Sequence, residues 1–203
     1  MKKEKLHIGE SAYTYYRYGY GNGLLIALHG YGESGLAFKG LESIWADRYT
    51  IIAPDLPFHG DTQLAKADFD ASDMDALLQG ISERFGGRPL ALMGHSFGGR
   101  VLLYLLPKWA KRVDQYFLLS PDGLATPGMR WSLRLPIALQ KGIQRLLSGW
   151  SLQPLFKTLH RLGWLSFHQQ YFLSYHLGDR ERQARLFAYW RSLRHFTLRK
   201  REL

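Results

Sequence analysis

The sequence predicts an α/β fold with a mostly parallel sheet, and two features of the chain carry this prediction. Short apolar runs alternate with segments of helical periodicity at least three times between residues 24 and 120. Such alternation is typical of a parallel sheet that helices cover on both faces. In addition, a glycine-rich turn at 94–98 joins the apolar run 90–93 to the helix predicted after it, which is a strand–turn–helix junction.

Each element follows from its local pattern. The predicted strands are an aromatic pair within 6–18 and the apolar runs 24–28, 49–53, 90–93 and 115–120. Runs that are apolar throughout suit strands buried on both faces. The predicted helices cover 35–48, a segment around 74–85 and 97–112, and the first of them has the predicted buried stripe Leu36, Leu41, Ile44 and Trp45.

The second part of the chain differs in composition from the first. Residues 1–126 contain 13 Lys+Arg and 14 Asp+Glu, whereas residues 127–203 contain 14 Lys+Arg and three Asp+Glu. No strand-like run follows Pro127; Leu135, Leu139 and Ile143 share one helical face opposite Gln140, and Asp179 is placed to cap a last helix. The sequence therefore predicts an α/β core at 1–126 and a basic helical lid at 127–203.

Composition limits the chemistry and the compartment that we expect. The chain contains no cysteine, so disulfides and cysteine-based zinc sites are excluded. No apolar run reaches the ~20 residues of a membrane span, and the basic N-terminus lacks the apolar segment of a signal peptide. We expect a cytoplasmic protein, and no residue pattern calls for a metal or an organic cofactor.

The pentapeptide Gly94-His95-Ser96-Phe97-Gly98 has the G-x-S-x-G pattern of a nucleophile elbow. Glycine at its first and last positions leaves room for a turn tight enough to expose the Ser96 hydroxyl beside a helix N-terminus. The side chains of His29, Asp55, Ser96 and Asp122 each follow a predicted strand. Because the carboxyl ends of parallel strands meet at one edge of a sheet, we expect these residues to gather there.

The elbow, together with Leu28-His29-Gly30-Tyr31-Gly32, resembles the α/β-hydrolase superfamily, whose members have an H-G-x-G turn after the third strand. The resemblance implies that Ser96 is the nucleophile and that the backbone N–H groups of Tyr31 and Phe97 form the oxyanion hole. It also implies that the residues around the site are structural: His29, Gly30, Gly32, Asp55, His59, Gly94 and Gly98. His95 is expected to point away from the site.

The superfamily places its catalytic acid and histidine after the seventh and eighth strands, and we find neither strand before Leu203. We therefore expect a C-terminally truncated form in which no catalytic histidine is identified. Asp122, after the sixth strand, is a candidate acid, and the alternative is a turn residue in Pro121-Asp122-Gly123. The lid histidines are interpreted as helix-face residues: His160, His168, His176 and His195.

The resemblance implies a serine hydrolase that acts on an ester or related acyl bond of a small molecule through an acyl-enzyme on Ser96. The alternative is a non-catalytic protein of the same fold that binds an anionic ligand or a membrane surface through its basic lid. We expect no nucleic-acid partner, because the basic segment carries no nucleic-acid-binding motif.

Overall fold

A computed structural model of the protein describes residues 1–86, 89–121, 135–147 and 153–197. The contacts divide the chain into two compact units. The first unit contains Met1–Thr126 and His195–Leu203, and the second contains Pro127–Arg194.

The first unit is built on a six-stranded sheet in the order β1-β2-β4-β3-β5-β6. Its strands are β1 (Lys2–Ile8), β2 (Ser11–Tyr18), β3 (Gly23–Leu28), β4 (Tyr49–Pro54), β5 (Leu90–His95) and β6 (Gln115–Leu119). The last four strands are parallel, whereas β1 and β2 pair in an antiparallel manner. The predicted α/β class with a mostly parallel sheet is confirmed.

The predicted strand positions agree with the structure except at the N-terminus, where β1 begins at Lys2 rather than near Leu6. Only Leu6 is buried in β1, and the remaining residues of this edge strand are exposed or half-buried. Charged residues suit an edge strand because they discourage pairing with other chains. In contrast, every residue of β3 and β4 is buried, as their continuous apolar runs predict.

Two long helices of the first unit position the site, α2 (Ala71–Phe85) and α3 (Phe97–Trp109). The Asp70 side chain caps α2 by accepting the backbone N–H groups of Ser72 and Asp73. The apolar residues whose helical period predicts α2 are Met74, Leu77, Leu78, Ile81 and Phe85. The first four are buried and Phe85 is half-buried. Gly86 is the C-cap of this helix.

The prediction for residues 35–48 is wrong in its helix type and in half of its buried stripe, whereas Leu41 and Trp45 are partly buried against the core as predicted. A 3₁₀ helix over Gly35–Leu41 is followed by only four α-helical residues, α1 (Glu42–Trp45). Leu36 and Ile44 are exposed, and Phe38 is buried in their place. A 3₁₀ helix has 3.0 residues per turn, so the apolar face rotates away from a stripe assigned with a period of 3.6.

The described part of the second unit is helical and contains no strand. Its helices are α4 (Ile137–Leu147), α5 (Gln153–Arg161), α6 (Phe167–Leu177) and α7 (Arg180–Ser192). The 3₁₀ turn that follows, Leu193–Phe196, runs into the C-terminal segment assigned to the first unit. Asp179 caps α7 through the backbone N–H groups of Glu181 and Arg182, as predicted. None of the helices in the described ranges is long and apolar enough to cross a bilayer.

The predicted faces of α4 are wrong at Leu139 and Gln140, whereas Ile143 of the predicted apolar face is half-buried. Leu139 is exposed, whereas Gln140 is buried. The Gln140 Oε1 atom accepts a hydrogen bond of 2.8 Å from the Arg194 guanidinium. A buried amide is tolerated where it is hydrogen-bonded, so a partner 54 residues away determines which side of this helix is covered.

Candidate active site

Ser96 occupies a strained turn between β5 and α3, with φ of 48° and ψ of −111°. A positive φ is costly for a residue with a Cβ and persists only where the surrounding structure holds it. The Ser96 N–H donates to the Leu119 carbonyl at 3.0 Å, and the Arg100 N–H donates to the Ser96 carbonyl at 3.1 Å. These bonds attach the turn to β6 on one side and to the first turn of α3 on the other.

Glycine is required at both ends of the pentapeptide because backbone atoms of neighbouring segments approach these positions closely. A Cβ at Gly94 would lie 2.5 Å from the Gly99 nitrogen, and one at Gly98 would lie 2.1 Å from the Leu28 carbonyl oxygen. Real Cβ atoms do not approach backbone atoms so closely. Any larger residue at either position would therefore push α3 away from β3 and β5.

The turn after β3 lies directly on the Ser96 turn. A Cβ at Gly30 would lie 3.1 Å from Glu33 Oε2, 3.1 Å from His95 Nδ1 and 3.2 Å from Ser96 Cβ. A carboxylate, an imidazole and the Ser96 side chain thus surround the same small space. The predicted oxyanion turn and the predicted nucleophile, far apart in sequence, are brought together by the parallel pairing of β3 with β5.

Glu33 joins these two turns. Its Oε2 atom accepts the Gly30 backbone N–H at 2.8 Å and lies 3.0 Å from His95 Nδ1. Partial burial by itself raises the pKa of Glu33, but the hydrogen bonds from Gly30 and His95 outweigh it and lower the pKa below its usual range. Glu33 is therefore ionised at neutral pH.

The His95 ring does not behave as expected from the sequence. It turns toward Glu33 and the Gly30 turn rather than away from the site. Sequence reasoning also missed Glu33, because a carboxylate three residues after Gly30 has no motif to single it out. The available signal was its position just beyond the H-G-x-G turn, where a carboxylate can accept a backbone N–H.

His29 connects the turn after β3 to the loop after β4 through hydrogen bonds. Its Nε2 atom accepts the Leu56 N–H at 2.9 Å, which places the proton on Nδ1, and Nδ1 donates to the Gly30 carbonyl at 2.7 Å. Burial, followed by the neighbouring His59, lowers the pKa of His29 to about 3. His29 is fully buried and both of its ring nitrogens are hydrogen-bonded, which supports the structural role implied by the resemblance; that role stays a prediction.

His59 and Asp55 order the adjoining loops in the same way. His59 Nε2 accepts the Gly32 N–H at 2.9 Å, and its ring packs edge-on against Tyr31 at 5.2 Å. The buried Asp55 carboxylate accepts the N–H groups of Gly35 at 2.8 Å and Asp61 at 3.2 Å. Burial raises the pKa of Asp55 despite these hydrogen bonds.

The remaining predicted residues divide into those that the structure places and those that it does not. Phe97 begins α3, and its buried ring packs against Phe69 at 6.0 Å and Phe196 at 5.8 Å. Asp122, the candidate acid, lies outside the described residues. No hydrogen bond joins Ser96 Oγ to another residue in the described ranges, so the geometry there assigns no base to it.

Comparison with known proteins gives one match to a family and several to individual proteins. A sequence model described as the alpha/beta hydrolase family matches residues 25–201. A soluble epoxide hydrolase from Corynebacterium sp. (strain C12) is 30% identical over 116 residues, which are 57% of this chain and 40% of that protein. An uncharacterized protein of Mycobacterium bovis is 28% identical over 100 residues, covering 49% of this chain and 29% of that protein.

Solved structures match over more of the chain. The ligand-free structure of an epoxide hydrolase has a TM-score of 0.61 at 20% identity, covering 97% of this chain and 75% of the other. A thioesterase domain from the curacin biosynthetic pathway has a TM-score of 0.60 at 18% identity, covering 86% of this chain and 64% of the other. At such identities the likeness establishes the fold alone.

Proposed function

The chain belongs to the alpha/beta hydrolase family, and from that premise we propose that it is a serine hydrolase acting on an ester or related acyl bond. The observation that carries the proposal is the strained Ser96 turn, packed against the Gly30 turn. A serine forced to positive φ at a strand–helix junction projects its hydroxyl from the sheet edge, where ligands bind in α/β folds. Backbone strain of this kind clusters at active sites, which supports the proposed role of Ser96.

In the proposed reaction, Ser96 Oγ attacks the carbonyl carbon of the substrate. A bond forms between Oγ and carbon, and the carbonyl π electrons move to oxygen to give a tetrahedral oxyanion. Collapse breaks the bond from carbon to the leaving alkoxide, which receives the proton that Ser96 loses. Water then attacks the acyl-enzyme, releases the acid and restores the Ser96 hydroxyl.

Two backbone N–H groups are proposed to bind the oxyanion, those of Tyr31 and Phe97. The Phe97 amide stands at the N-terminus of the 13-residue helix α3, where the helix dipole favours negative charge. Tyr31 follows Gly30, whose carbonyl and N–H are both anchored, by His29 and Glu33 respectively. Donors fixed before the reaction stabilise the transition state without reorganisation, and loss of one donor typically slows acyl transfer by ~10²–10³-fold.

The substrate is proposed to be a small molecule with an ester or related acyl group. The matched segments span less than half of the curated relatives described above, so the activity of the whole protein is part of the proposal.

Transfer of the proton from Ser96 requires a base. His29 is excluded as that base because its pKa is lowered and both of its ring nitrogens are already hydrogen-bonded.

The test is covalent labelling with an alkyl fluorophosphonate, read by intact-protein mass. We expect one adduct on the wild-type chain and none on Ser96→Ala. Ser120→Ala is the matched control, because Ser120 also lies at positive φ, 43°, at the end of the neighbouring strand. Wild-type protein that stays unlabelled while it remains folded would contradict the proposal and favour the non-catalytic alternative.

A further inference from the structure

We propose that an exposed aromatic stripe on the second unit docks the protein onto membranes that contain anionic lipid. The stripe consists of five large apolar side chains within 14 residues: Leu162, Trp164, Phe167, Tyr171 and Tyr175. The proposal concerns a binding surface and does not depend on catalysis at Ser96.

Helical spacing aligns three of the five side chains, whereas Leu162 and Trp164 belong to the turn that precedes α6. Phe167, Tyr171 and Tyr175 recur every fourth residue of α6 and so share one face. The rings of Tyr171 and Tyr175 stack with centroids 6.4 Å apart. Exposure is 76% for Trp164 and 65% for both Phe167 and Tyr171, whereas His176, adjacent to Tyr175, is buried. The aromatic side of α6 is thus the outward one.

A lipid surface suits these side chains better than water does. Scattered exposed apolar residues are ordinary, but a contiguous patch marks an interaction site. Tryptophan and tyrosine favour the boundary between water and lipid, where the ring is buried and the polar tip stays hydrated. Exposed aromatic rings can therefore enter the headgroup region of a membrane without the whole helix being amphipathic.

The charge of the second unit indicates which class of lipid its surface would bind. Residues 135–147 and 153–194 contain nine Lys+Arg and only two Asp+Glu. Both carboxylates are engaged by arginine, Asp179 with Arg182 at 3.3 Å and Glu181 with Arg185 at 2.9 Å. The described part of the second unit therefore carries a large excess of positive charge, which is complementary to a membrane surface that contains anionic lipid.

Cations lie next to both ends of the stripe, by direct contact at Tyr175 and by sequence position at Leu162. The Arg182 guanidinium lies 4.3 Å from the centroid of the Tyr175 ring. At the other end, Arg161 immediately precedes Leu162, and Lys157 lies one helical turn earlier; both side chains are exposed. Headgroups that meet the aromatic stripe would thus find a cation at each end of it.

The test is flotation of the full chain with vesicles of phosphatidylcholine alone and with vesicles that also contain phosphatidylglycerol. We expect binding to the anionic vesicles, weakened by salt, and little binding to the neutral ones. The variant Trp164→Ser/Phe167→Ser/Tyr171→Ser should partition at least about tenfold more weakly. Lys157→Gln/Arg161→Gln should lose about tenfold on anionic vesicles only.

The matched control is Tyr20→Ser/Leu36→Ser/Ile44→Ser, which removes three exposed apolar side chains from the first unit. It should bind as the wild type does. Three results would overturn the proposal: no binding to anionic vesicles, an equal loss in the two triple variants, or equal binding to both vesicle types. Concentration-dependent self-association that only the stripe variant abolishes, measured by sedimentation velocity, would instead assign the stripe to a second copy of the chain.

Discussion

His95 Nδ1 lies 3.0 Å from Glu33 Oε2, and the same carboxylate oxygen accepts the Gly30 backbone N–H at 2.8 Å. One carboxylate thus connects the residue before the proposed nucleophile to the turn that precedes the proposed oxyanion donor Tyr31. We infer that Glu33 is a positioning residue, which acts on the reaction through the backbone of the Gly30 turn.

Glu33→Ala should lower the rate constant for fluorophosphonate labelling of Ser96 by roughly tenfold, because it leaves the Gly30 N–H without its acceptor. Glu33→Gln should recover part of the rate, since its amide oxygen can still accept that N–H. Glu42→Ala is the control, because the Glu42 side chain contacts the N-terminal amine instead. An unchanged rate in Glu33→Ala would refute the positioning role without touching the role of Ser96.

Gly98→Ala should destabilise the first unit by at least about 2 kcal/mol, because the added methyl meets a backbone carbonyl that cannot move independently of its strand. Gly142→Ala is the matched control, since a Cβ there meets nothing within 4 Å and glycine is unfavourable inside a helix. That variant should gain up to about 1 kcal/mol. Urea unfolding measures the free energy of unfolding of both variants. Equal changes in the two would show that the close backbone approach at Gly98 does not affect stability.

His29 should make stability depend on pH. Because its pKa is lowered to about 3 in the native state, the unfolded chain binds a proton that the native chain does not as pH falls below 6.5. Stability is therefore lost as pH falls, by about 2 kcal/mol between pH 7 and pH 5. His29→Gln lacks this titrating group. The difference in free energy of unfolding between the wild type and this variant should therefore shrink by about 2 kcal/mol as pH falls from 7 to 5. A gap that stays constant in urea titrations across this range would contradict the assignment.

Asp75 should stabilise the packing of α2 against α3, the helix that follows Ser96. Its carboxylate accepts the Trp109 indole N–H at 2.8 Å and the Lys108 ammonium at 2.7 Å. Asp75→Ala should cost about 3 kcal/mol, because it leaves the buried indole N–H unpaired. Glu83→Ala, at an exposed position of the same helix, should change stability by less than ~0.5 kcal/mol. Equal melting temperatures for Asp75→Ala and Glu83→Ala would contradict this role of Asp75.

Much of the fold could be predicted from the sequence because its signals are local. The apolar runs of β3 and β4, the stripe of α2 and the cap at Asp179 each depend on a few neighbouring residues. Prediction failed at residues 35–48 and at Gln140, where the helix type or a distant arginine decided which side chains were buried. The nucleophilic role of Ser96, the oxyanion donors and the candidate acid Asp122 stay predictions.

By itself, the sequence determined the α/β class, the junction at Ser96 and the two glycines that the junction requires, because periodicity and backbone clearance are properties of short segments. Only the tertiary structure decided that Glu33 meets His95, which lies 62 residues away, and that His29 and His59 tie the turn after β3 to the loop after β4. Such contacts depend on which strands are neighbours in the sheet. Strand order is a property of the folded chain that no local pattern specifies.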